Sequence, residues 1–127
     1  MFEPFAVESR SGLTDRQHGA AAGGVLMKVA IPLFKDRVSP HFSTALEALL
    51  VQIEGGKVCC TWKIDLDGLS PMERRLKFLS LGVDVLFCGG IDGTSRSWFE
   101  KQGLRVEDNR MGNAMELLHL HLSAKNT

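Results

Sequence analysis

An α/β fold built on a mixed five-stranded sheet, with helices on its faces, follows from three stretches of the chain. Glu54-Gly55-Gly56 separates two apolar runs, Leu46 to Ile53 and Lys57 to Ile64, as a hairpin turn requires, because glycine supplies the positive φ of a tight turn. Ser70-Pro71-Met72-Glu73 opens a helix, with Ser70 as cap, proline at the first helical position and Glu73 three residues after the cap. Val83-Asp84-Val85-Leu86-Phe87 then runs through Cys88-Gly89-Gly90 into Asp92-Gly93-Thr94-Ser95, a strand leading straight into a helix. A hairpin followed by two strand-helix units gives a mixed sheet, since each crossover returns the chain to a parallel neighbour.

The elements follow in order. Residues 1–26 show neither the strand nor the helix period and carry runs such as His18-Gly19-Ala20-Ala21-Ala22-Gly23-Gly24, so they read as a disordered leader ahead of a single domain over 27–127. Two readings of this leader stand: Met27 is the translational start, or the leader is an arm whose Phe2 and Phe5 dock on the domain. Lys28 to Phe34 is a strand with Val29, Ile31 and Leu33 on one face and Pro32 near its end. A polar loop from Lys35 to Ala45 carries Ser39-Pro40-His41-Phe42, and its neighbours hold His41 in place.

Cys59 and Cys60 are consecutive strand residues, so they point to opposite faces and read as structural. In the helix after Ser70, the expected buried stripe is Met72, Leu76, Phe78, Leu79 and Leu81, with Glu73, Arg74, Arg75 and Lys77 toward water. A second helix, Thr94 to Gln102, buries Trp98 and Phe99, and Leu104 to Glu107 forms the last strand. After Asp108-Asn109-Arg110-Met111-Gly112-Asn113 comes a final helix from Ala114 to about Ser123, on which His119 and His121 stand two apart and form no metal pair.

Composition narrows the function. The 127 residues carry fifteen basic and fifteen acidic side chains, a balance that argues against a nucleic-acid binder relying on phosphate neutralisation. No run approaches the roughly 18 apolar residues of a membrane span, and no secretory signal opens the chain, so the expectation is a cytoplasmic protein. Three cysteines without a C-x-x-C spacing suggest neither a disulfide framework nor a self-contained metal cage. Any metal would be held by dispersed ligands.

In such sheets ligands sit beyond the carboxyl ends of the parallel strands. Three loops leave those ends: the one with Ser39 and His41, the one with Cys88-Gly89-Gly90, and the one with Arg110-Met111-Gly112-Asn113. An imidazole, a thiol, a thioether, helix N-termini and basic Lys35, Arg37 and Arg110 would converge there. That donor set suits an anionic iron-sulfur cluster better than magnesium or calcium. The plainer reading is that Gly89-Gly90 is only a tight turn and Cys88 a small buried hydrophobe.

Met27-Lys28-Val29-Ala30-Ile31-Pro32, Ser39-Pro40-His41-Phe42-Ser43-Thr44-Ala45 and Gly82 through Ile91 together resemble the dinitrogenase iron-molybdenum cofactor biosynthesis domain family, of the NifX, NafY and NifB C-terminal type. The resemblance spans about residues 27–122. It implies a ribonuclease-H-like three-layer fold and binding of the iron-molybdenum cofactor or a related iron-sulfur cluster, handed on by a carrier that is not an enzyme. A cofactor-assembly or recipient protein would be its partner. In that family the loop matching Ser39 to Ala45 supplies a histidine implicated in cluster binding, here His41; taken with the converging loops, Ser39, His41, Gly89, Gly90 and Arg110 are the expected cofactor contacts and His41 and Cys88 the expected metal ligands, while a thioether such as Met111 more often fills a core gap. Ser43 departs from the family, which usually has glycine there.

Other functions compete. A two-metal nuclease needs converging carboxylates, and the first strand carries no acid. A Cys88-His41 hydrolase lacks an evident third group to orient the base. A metal-free regulatory or scaffold domain, binding a protein partner or small anion, fits the same fold.

Overall fold

The computed structural model describes residues 26–125, with side chains described as far as Leu122. The leader expected over residues 1–26 lies outside the described residues except for Leu26, which opens the first strand. The elements in chain order are β1 (Leu26–Phe34), β2 (Arg37–Val38), a 3-10 turn (Phe42–Thr44), β3 (Glu47–Glu54), β4 (Lys57–Asp65), α1 (Pro71–Ser80), β5 (Val85–Phe87), α2 (Gly93–Lys101), β6 (Arg105–Glu107) and α3 (Ala114–Lys125).

The sheet order is β4-β3-β1-β5-β6, with β1, β5 and β6 parallel and β3 and β4 antiparallel to their neighbours. The five expected strands are present. A sixth, β2, is only two residues long and folds back on β1 through Lys35, whose φ is 61°. Sequence alone read this stretch as loop because a two-residue strand has no period. Gly55 and Gly56 take φ of 60° and 81° in the β3-β4 turn, the positive values that this tight hairpin demands.

Two apolar layers sandwich the sheet. One gathers Ala30, Leu50 and Leu86 from the strands against Phe78 of α1 and Phe99 of α2, and the other gathers Val29, Ile31, Val51 and Phe87 against Ala114 and Leu118 of α3. Helices thus cover both faces, in the ribonuclease-H-like three-layer arrangement. Phe42, from the loop after β2, completes a ring triangle with Phe78 and Phe99 at centroid distances of 5.7 and 5.6 Å. That aromatic anchors the His41 loop to the core.

Helix α1 starts as expected: Ser70 Oγ accepts from the Glu73 amide at 3.1 Å, and Glu73 Oε1 accepts from the Ser70 amide at 2.8 Å. Its buried face is a correction to the sequence reading. Arg74 and Arg75 are 6% and 9% exposed, whereas Leu76 is 47% exposed and Met72 and Leu79 also face outward. The cause is that both guanidiniums find acceptors inside. Arg74 Nη1 donates to the carbonyls of Phe42 (3.3 Å) and Ala45 (2.6 Å), and Arg75 Nη1 donates to Ser95 Oγ (3.1 Å). Phe78 lies three and four residues beyond them, on the same side, and is fully buried.

Candidate functional site

The three loops expected to converge do so. Val38 N donates to Gly112 O (2.9 Å) and Ala114 N to Asp36 O (3.0 Å), tying the first loop to the third. Asn109 N donates to Gly89 O (3.0 Å) and Arg110 N to Cys88 O (2.9 Å), tying the third to the second. Gly90 N donates to Pro40 O (2.7 Å) and Phe42 N to Gly90 O (2.8 Å), closing the second on the first. Between them lies a recess of about 360 Å³ lined by Phe34, Arg37, Val38, Pro40, Gly89, Gly90, Asn109, Arg110, Met111 and Gly112.

Of the residues singled out from sequence, Gly89, Gly90, Arg110 and Met111 line this recess. His41 is exposed at its margin, and a Cβ placed on Gly90 would come within 3.5 Å of the His41 Nδ1. Ser39 is buried, and its Oγ donates to the His41 carbonyl at 3.0 Å while its amide donates to Pro32 O at 2.8 Å. It fixes the backbone that presents the imidazole. It offers no group to the recess.

Cys88 differs more from its expected role. Its side chain is fully buried in the layer beneath α1 and α2. Burial pushes the thiol up to about 12, Asp108 adds to the rise, and Arg96 opposes it. The thiolate is the metal-binding form, so a sealed thiol this reluctant to ionise is a poor ligand.

The two glycines also act differently from a bare anion cradle. The Gly90 amide is committed to Pro40 O, and a Cβ on Gly89 would meet the Ser39 and Pro40 carbonyl oxygens at 2.5 and 2.7 Å. Glycine is required there by the close approach of one backbone to another. The helix that follows is capped by its own carboxylate, with Asp92 Oδ2 accepting from Ser95 N at 2.9 Å.

Positive charge reaches the recess from side chains. The Arg37 guanidinium has no acidic partner among the described residues. Arg110 Nη2 is paired with Glu107 Oε1 at 2.8 Å, and Arg105 Nε holds the other carboxylate oxygen at 2.8 Å. Hydrogen bonding from Arg110, with help from Arg105, keeps the Glu107 carboxyl below its usual range. Behind the rim, Arg96 pairs with Asp108. No three or more His, Cys, Asp or Glu side chains gather to hold a metal ion among the described residues. Around the recess, the soft donors open to a ligand are the His41 imidazole and the Met111 thioether, which is 81% exposed.

Sequence reading missed two contributors. Phe34 reads as the end of a strand but forms an exposed wall of the recess, and Arg74 reads as a solvated helix residue but staples the His41 loop to α1. Asn109 carried a signal that was there to read. Asparagine tolerates the left-handed region better than most residues, and its φ is 60°.

No protein-family model matches the chain. Among curated proteins it is 26% identical over 106 residues to MJ0580 of Methanocaldococcus jannaschii, itself uncharacterized, covering 79% of this chain and 89% of that one. Among solved structures, PH0822 superimposes with a TM-score of 0.74 at 22% identity, covering 77% of this chain and 90% of the other. The crystal structure of M. jannaschii MJ0327, provisionally named a dinitrogenase, superimposes with a TM-score of 0.66 at 22% identity, covering 80% and 92%. An NMR structure of the same protein gives 0.65. These likenesses show that the chain has the fold shared by PH0822 and MJ0327.

Proposed function

We propose that this protein binds and carries an anionic iron-sulfur-type metallocluster, the iron-molybdenum cofactor or a relative of it, as a cytoplasmic carrier in cofactor assembly and not as a catalyst. The observation that carries the reading is His41, an exposed imidazole fixed at the margin of a recess that also holds Arg37 and Arg110. The cluster is cargo. One imidazole, aided by Met111, makes a weak attachment, and the guanidiniums offset the cluster's negative charge. Few ligands suit a carrier, because a fully caged cluster would not leave for a recipient protein. The resemblance of the Ser39 to Ala45 stretch to the cofactor-biosynthesis family, and a fold shared with a protein provisionally named a dinitrogenase, support the same reading.

The test is anaerobic titration with the iron-molybdenum cofactor and with a preformed [4Fe-4S] cluster, read by visible absorption and iron content. Stoichiometric colour that is lost in His41→Ala and kept in Cys88→Ala is the expected result. The second reading is a metal-free scaffold that docks a partner. Exposed Phe34 and Met111 beside the recess favour it, and a folded wild type that stays colourless would select it.

A further inference from the structure

Arg74 and Arg75 are both buried, and neither forms an ion pair with a carboxylate among the described residues. Buried guanidiniums ordinarily have one. Arg75 lies over the Trp98 ring at 5.9 Å, its Nη1 donates to Ser95 Oγ, and its Nε is sealed inside without a partner. Arg74 is different. Its Nη1 is committed to the Phe42 and Ala45 carbonyls, but Nε and Nη2 make no hydrogen bond among the described residues, and neither is sealed inside. Those two N–H groups lie along one edge of the guanidinium plane, the edge that grips two oxygens of one ligand group.

Arg74, although only 6% exposed, lines a second recess of about 290 Å³, which shares no lining residue with the one beside His41. Phe42, Leu69 and Pro71 supply its apolar walls, and Ser43, Asp92 and Ser95 complete the polar side. Ser95 is buried; its Oγ accepts from Arg75, and its own hydroxyl proton has no acceptor among the described residues. Pro71 and Ser95 stand in the first turns of α1 and α2, so the positive ends of both helix dipoles meet at this recess.

We propose that this recess binds a small monocarboxylate with an apolar stem, its two oxygens against Arg74 Nε and Nη2, one of them also accepting from the Ser95 hydroxyl. The stem packs on Phe42, Leu69 and Pro71. Two coplanar oxygens match the guanidinium edge, and one negative charge matches the one cation that opens here. Asp92 selects against a dianion. Its Oδ2 accepts from the Ser95 amide at 2.9 Å, and this carboxylate in the wall repels phosphate more than it repels a singly charged acid. The assignment is independent of cluster carriage at His41.

The experiment is a titration of the nitrogen-labelled full chain with sodium isocaproate at constant ionic strength, followed by NMR at the arginine Nε–H groups and the backbone amides. The Arg74 Nε–H signal, assigned by its loss in Arg74→Lys, is expected to shift to saturation with a dissociation constant of about 1 mM or below. Amides of Ser43 and Ser95 should move with it, while those of Arg110 to Gly112 stay in place. Inorganic phosphate at the same concentrations is expected to leave the Arg74 signal unmoved. Arg74→Lys keeps the charge but loses the two-pronged edge, so binding read at the amides should weaken about tenfold or more. Because Arg74 also holds the His41 loop, Ser43→Phe is the second variant. Ser43 is exposed, its hydroxyl makes no hydrogen bond among the described residues, and a ring there fills the recess without touching the Arg74 contacts to Phe42 and Ala45. It should weaken binding to a similar degree. The proposal fails if the shift grows without saturating, centres on the His41 recess, persists undiminished in either variant, or is matched by phosphate.

Discussion

His41 and Gly90 stand opposite each other in a two-residue parallel bridge between loops, outside every regular strand. The Gly90 amide donates to the carbonyl before His41, and the Gly90 carbonyl accepts from the amide after it, at 2.7 and 2.8 Å. An exposed side chain is thereby carried on a backbone tied down on both sides. A ligand meeting His41 finds its position already set, so little ordering entropy opposes binding.

This clasp predicts unequal effects of adding one methyl to neighbouring glycines. At Gly89 the new Cβ would lie 2.5 Å from Ser39 O, a backbone atom that cannot step aside without opening the bridge. At Gly90 the nearest atom is Pro40 O at 3.2 Å, which needs only a small shift. Gly89→Ala is expected to cost about 1–3 kcal/mol in urea unfolding and to weaken cluster binding. Gly90→Ala should cost clearly less, and equal costs would refute the clasp.

Arg74 makes the second prediction. Burial lowers its pKa, while the Phe42 and Ala45 carbonyls accept hydrogen bonds from the guanidinium. Arg74→Met keeps the bulk but leaves those acceptors without this donor, at an expected cost of about 1–3 kcal/mol. Amide exchange at Phe42 and Thr44 should quicken while exchange in β3 stays slow. Uniform quickening across the chain would mean that Arg74 supports the whole fold and not this loop in particular.

The same arginine shows what hydropathy conceals. The succession of strands and helices along the chain, the hairpin turn and the capping box were legible because each depends on local chemistry: φ at Gly55 and Gly56, the reach of Ser70 and Glu73, β-branched runs at Val29 and Val85. Convergence of the three loops was legible too, because parallel strands all end on the same side of the sheet. The buried face of α1 was not. It depends on which carbonyls lie across from the helix, and Arg74 turns inward to acceptors about thirty positions earlier in the chain. Cys88 stayed open between ligand and buried hydrophobe: its place after the strand was clear, but whether the thiol opens to the recess or the core is settled by packing under α2, which puts it in the core.

That inversion of α1 can be measured. Leu76 is 47% exposed, so Leu76→Gln should change stability by no more than about 0.5 kcal/mol. Phe78 is fully buried against Phe42 and Phe99, and Phe78→Ala should cost about 3–5 kcal/mol. The hydropathy pattern alone puts both in one buried stripe and predicts large losses for each. Urea midpoints of the two variants decide between the patterns.

The Cys88 thiol gives a pH dependence whose sign can be worked out. Below about pH 9 the group is protonated in both folded and unfolded chains, and it contributes no slope. Between that pH and about 12 the unfolded chain loses the proton while the folded chain, whose thiol is desolvated, keeps it. The folded state then binds more protons, so stability falls as pH rises, by up to about 1.4 kcal/mol per pH unit from this group. Cys88→Ala removes the thiol at a constant cost for its small cavity. The difference in unfolding free energy between wild type and variant, measured from pH 8 to 11, should therefore be flat at first and then shrink. In the native protein below pH 9, a thiol reagent should modify the two exposed cysteines and spare Cys88 until urea is added. A difference that stays constant across the range, or three thiols reacting in the native protein, would show that Cys88 opens toward the recess and would return it to the set of candidate ligands.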